Sequence, residues 1–83
     1  MAWSASIRVV DEDGDPVHGA RVTIDHGWLT GIDSKYTDVE GWAEFSYESI
    51  EKSELWVTTI WIEGDEVAGG FYMSDGDTRS YTR

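Results

Sequence analysis

The residues that could do chemistry come first, because there are few kinds of them. Asp11, Asp13 and Asp15 alternate ahead of Pro16, which brings three carboxylates into one turn. A helix-loop-helix calcium loop needs Gly at its sixth position and Glu at its twelfth. Those positions hold Pro16 and Val22, so that loop reading fails; a solvated acidic turn is expected, with weak calcium binding by Asp11, Asp13 and Asp15 as the alternative. His18 and His26 flank a candidate strand at an even spacing, with Asp15 or Asp25 as a possible third ligand for a metal. Isolated surface histidines are the simpler expectation. No serine lies in a nucleophile-elbow pattern, and there is no cysteine to act as a thiol nucleophile or zinc ligand. The expectation is therefore no catalytic residue, no metal and no cofactor.

Charge narrows the partners. Seventeen acidic residues against six basic ones give −11, and phosphate binding needs a basic face, so nucleic acid is not an expected partner. Lys35 and Lys52 are the only lysines, and Asn and Gln are absent. Such a surface suits high salt, where screening removes self-repulsion; a GC-rich genome gives the same bias. No apolar run is long enough to span a bilayer, and no leader with a basic and then an apolar stretch is visible. No membrane role is expected, and the compartment stays open between the cytoplasm and an assembled particle.

The elements that must position these residues have a period of two. Trp3, Ala5, Ile7 and Val9 alternate with polar residues, as do Ala20, Val22 and Ile24, and then Ala43, Phe45 and Tyr47. Residues 26–36 are expected to be a loop with a short edge strand near Trp28-Leu29. Residues 49–53 read as a loop or one helical turn. Leu55 to Ile62 is apolar on both faces, Val67 to Met73 returns beside it, and Gly69-Gly70 suggests a bulge or a close backbone approach. Asp75-Gly76 is a type I′ hairpin signal before a last short strand, 78–82. About seven strands with frequent turns predict an all-β chain: one antiparallel β-sandwich over residues 1–83.

The first half carries a longer pattern. Ile7-x-Val9-x-Asp11-x-x-Gly14-x-Pro16-Val17-x-Gly19-Ala20-x-Val22-x-Ile24, followed by Thr37-Asp38-x-x-Gly41-x-Ala43-x-Phe45, resembles the carboxypeptidase regulatory-like domain. The resemblance implies a transthyretin-like or Ig-like sandwich, related to collagen-adhesin B-type repeats, and accessory, adhesive or structural roles. Hydroxyisourate hydrolases share that fold, but their C-terminal Tyr-Arg-Gly-Ser signature is not matched by Tyr81-Thr82-Arg83. The isopeptide of the adhesin repeats is not expected either, since the first strand offers Arg8 rather than Lys and the chain has no Asn.

Five tryptophans are more than so thin an interior can hide. With Leu55 and Val57 inward by the family pattern, Trp56, Ile60 and Ile62 are expected to face out. Trp42 should face out beside Glu44, and Trp28 lies in the variable region. An outward set of Trp28, Trp42, Trp56, Ile60 and Ile62 predicts a protein–protein interaction face, joining copies of the chain or docking it on a larger assembly such as a virus or phage particle. The alternative is a carbohydrate-binding module stacking sugars on Trp28, Trp42 and Trp56.

Overall fold

Turn chemistry sets the frame at one end of the molecule. The computed structural model describes residues 2–28 and 30–83. In the first turn, the Asp11 Oδ1 accepts the N–H groups of Asp13 and Asp15, while Gly14 takes φ 85°. In the Thr37-Asp38-x-x-Gly41 turn, the Asp38 Oδ1 accepts from Glu40 at 2.9 Å and Trp42 at 3.0 Å. These bonds, the Trp42 N–H foremost, lower the Asp38 pKa. Gly41 combines φ 84° with a packing demand, because a Cβ there would stand 2.6 Å from the Val9 carbonyl oxygen and 3.2 Å from Pro16. Gly19, by contrast, has no strand passing close to it. Its surroundings are open, and what it supplies is φ 80°.

The described residues form nine strands and no helix. They are β1 (Trp3–Val10), β2 (Arg21–Asp25), β3 (Ile32–Tyr36), β4 (Trp42–Tyr47), β5 (Glu54–Val57), β6 (Thr59–Ile62), β7 (Asp65–Ala68), β8 (Phe71–Ser74) and β9 (Thr78–Thr82). One sheet has the order β4-β1-β9, a second β3-β2-β6-β7, and a two-stranded ladder joins β5 to β8. The fold is all-β and sandwich-like. The pairing is antiparallel apart from β1 with β9, which run parallel. A parallel pair needs a long connection, and here the whole intervening chain provides it.

The nine strands arise from the expected seven because two of them break. Leu55–Ile62 splits at Thr58, whose N–H donates to the Asp25 carbonyl and so moves the chain across to β2. The returning strand splits opposite, at Gly69-Gly70, where the Gly70 N–H donates to the Val57 carbonyl. A side chain on Gly69 would collide with the Thr58 carbonyl oxygen, so the expected close approach is present.

The break also reverses the side-chain phase. Leu55 and Val57 are buried, and after Thr58 it is Ile60 and Ile62 that are buried. Ile60 and Ile62 therefore do not face out as expected; Trp61 does. Sealing an isoleucine from water contributes roughly 1.5–3 kcal/mol, so two isoleucines inward outweigh one half-covered indole. They join a single core with Trp3, Ile7, Val9, Val22, Ile24, Phe45 and Met73.

One turn differs from expectation. Asp75-Gly76 does not close a hairpin, because β8 and β9 belong to different sheets and only Gly76 of that pair has positive φ. The two-residue type I′ geometry lies at Glu63-Gly64 between β6 and β7, with φ 51° and 86°. Residues 48–53 are irregular, and Ile50 packs against the core.

Candidate functional site

Trp3 anchors the end of the sandwich where the site lies. Its indole is fully buried and donates from Nε1 to the Met73 carbonyl at 3.1 Å, tying β1 to β8. It stacks on Tyr47 at 5.7 Å, and His26 meets both rings edge-on at 5.5 and 5.4 Å. His26 is itself buried, with Nδ1 3.0 Å from the Trp56 carbonyl oxygen. A carbonyl only accepts, so Nδ1 carries the proton and donates. The Tyr47 hydroxyl donates to Asp33 at 3.1 Å. Burial, with the Asp33 carboxylate beside it, raises the Tyr47 phenol pKa well above its ordinary range.

Against this cluster lies a groove of about 450 Å³, between the turn after β2 and the β5–β8 ladder. Trp28, Trp56 and Tyr72 stand around it, with His26, Lys52, Glu54 and Thr58 supplying its polar atoms. Trp56 and Tyr72 face each other across the ladder, their ring centroids 5.1 Å apart and their planes at 70°. Trp28 is 94% exposed. The short strand expected at Trp28-Leu29 is not seen at Trp28, which sits in a turn, and Leu29 lies outside the described residues.

Trp42 does not join this groove. It opens β4 opposite Arg8, whose guanidinium lies 5.6 Å from the indole centroid and whose Nε donates to the Glu40 carbonyl. The three indoles of the sugar alternative therefore do not share one platform.

A second surface is the outward face of the four-stranded sheet. Arg21, Thr23, Ile32, Ser34, Trp61 and Gly64 surround a shallow depression of about 370 Å³. Ile32 and the neighbouring Tyr36 are largely exposed, and the Thr23 and Ser34 hydroxyls pair at 2.7 Å. None of these residues was singled out in the sequence.

The metal candidates part company. His18 is exposed before β2 and His26 is buried beyond its other end, so the pair and its carboxylate do not meet. The Asp11, Asp13 and Asp15 carboxylates do cluster, within 4.8 Å of one another. No protein-family model matches the chain, and a search of curated proteins finds no match.

Proposed function

We propose that this chain is a non-enzymatic interaction module that joins a second copy of itself through the outward face of the β3-β2-β6-β7 sheet. One observation carries the reading: in a chain with 17 acidic residues, none of the six residues around the depression is acidic. Two copies at −11 each repel over most of their surface, and a contact centred on the depression keeps this face's own carboxylates, Asp25 opposite Ile32 and Glu66 opposite Trp61, outside its lining. Ile32, Tyr36 and Trp61 supply apolar and aromatic area there, and a two-fold contact sets the patch against itself. Within the all-β class we place the chain with carboxypeptidase regulatory-like, transthyretin-like domains. The support is that each half of the quoted pattern builds a specific corner: Asp11 and Gly14 the first turn, and Thr37, Asp38 and Gly41 the second.

Light scattering on a size-exclusion column tests this. At high protein concentration in molar salt, the mass should be at least twice the 9.4 kDa protomer. Ile32→Glu should return it to the protomer mass, while Trp56→Ala should not. A protomer mass for the parent chain at every concentration would remove the proposal.

A further inference from the structure

We infer that the groove beside Trp28, Trp56 and Tyr72 binds a positively charged segment of a partner protein, seating an arginine or lysine side chain against the three rings. The inference goes beyond self-association, since it concerns the β5–β8 ladder and not the four-stranded face.

Ring geometry is the first argument. Trp56 and Tyr72, with planes 70° apart, make two adjoining walls, and the exposed indole of Trp28 lines the same groove. Aromatic faces carry negative potential, indole the most, and hold a cation within about 6 Å of the ring centre. Sugars stack best on a flat run of rings, which an edge-to-face pair does not offer. A space of about 450 Å³ takes one or two side chains.

Electrostatics is the second argument. Lys52 and Glu54 in the groove offset each other, so its surroundings decide the sign. Beyond that pair, the neighbouring segments 48–53 and 75–77, which meet where the Asp75 N–H donates to the Ser53 carbonyl, add Glu48, Glu51, Asp75 and Asp77 and no further cation. With −11 over the whole chain, the field at the groove draws cations in. The chain uses the same contact internally, with Arg8 over Trp42 at 5.6 Å and Arg79 over Phe71 at 4.3 Å.

Calorimetric titration with hexa-arginine is the test, with cellohexaose as the rival ligand. The parent chain should bind hexa-arginine, and more weakly as salt is added. Trp28→Ala with Trp56→Ala, which leaves the net charge unchanged, should weaken binding about tenfold or more. Ile32→Ser, on the other face, should bind as the parent does, whether or not the chain self-associates. Should the double variant lose its circular-dichroism signature, Trp28→Ala alone should still weaken binding several-fold, because that side chain packs on almost nothing. Equal binding by parent and indole variants would reduce the effect to net charge and overturn the inference. So would heat from cellohexaose with none from hexa-arginine.

Discussion

Gly69→Ala is expected to destabilise the domain by about 3 kcal/mol or more. The methyl group would drive into the Thr58 carbonyl oxygen, and its neighbours there are backbone atoms of Thr58 and Thr59. Backbone cannot swing aside as a flexible side chain can. Relief requires moving the segment at which the chain leaves β5 for β6, and with it the phase that puts Ile60 and Ile62 inside. Gly70→Ala is the matched control: φ is 77° and nothing lies near the added carbon. Its cost is that of left-handed backbone alone, about 1–2 kcal/mol. Urea unfolding of the two variants checks the difference. Equal losses would mean that the Thr58 backbone yields to the methyl group at no more than the cost of left-handed backbone, since Gly69 itself has no positive φ.

Trp3→Ala is expected to remove a large share of the domain's stability, about 3–5 kcal/mol or more. Truncating a fully buried indole costs that much by itself. Here it also abandons the Met73 carbonyl and removes the ring that Tyr47 and His26 pack against. Typical stability per residue gives a chain of 83 residues only about 4–12 kcal/mol in total. Trp3→Phe keeps an aromatic ring but lacks the donor, and should cost about 1–3 kcal/mol. Far-ultraviolet circular dichroism against urea measures both. A loss below about 1 kcal/mol for the alanine variant would show that the indole does not hold β1 to β8.

Period two was enough to read β1, β2 and β4, because each has one apolar face and one polar face. The buried positions of all three fall where that alternation puts them. Leu55–Ile62 defeats the same reasoning. Apolar residues fill both phases on either side of Thr58-Thr59, so alternation cannot locate a reversal. The remaining clue was Gly69-Gly70, which marks a close approach without saying what crosses there. That one ambiguity sent Ile60 and Ile62 outward and overlooked Trp61.

The groove was half legible. An excess of tryptophan pointed to Trp28 and Trp56 outside the core, and both are exposed. Tyr72 was hidden inside Phe71-Tyr72-Met73, where every residue is apolar or aromatic and the strand beside it was unresolved in phase. Strand β3 was illegible for a different reason. As an edge strand it buries almost nothing, so Ile32 and Tyr36 leave no periodic trace between Gly31 and the Thr37 turn. Trp42 fell on the expected outer face but away from the other two indoles, because pairing with Arg8 places it at the opposite end of β1 from Trp3.

Where the five indoles lie is the claim on which both docking surfaces depend. Relaxation of the indole N–H signals by a soluble paramagnetic agent measures it directly. Trp28 and Trp56 should broaden strongly, Trp42 and Trp61 partly, and Trp3 hardly at all. A Trp61 signal as protected as that of Trp3, with the Ile60 and Ile62 methyl groups relaxed instead, would contradict it.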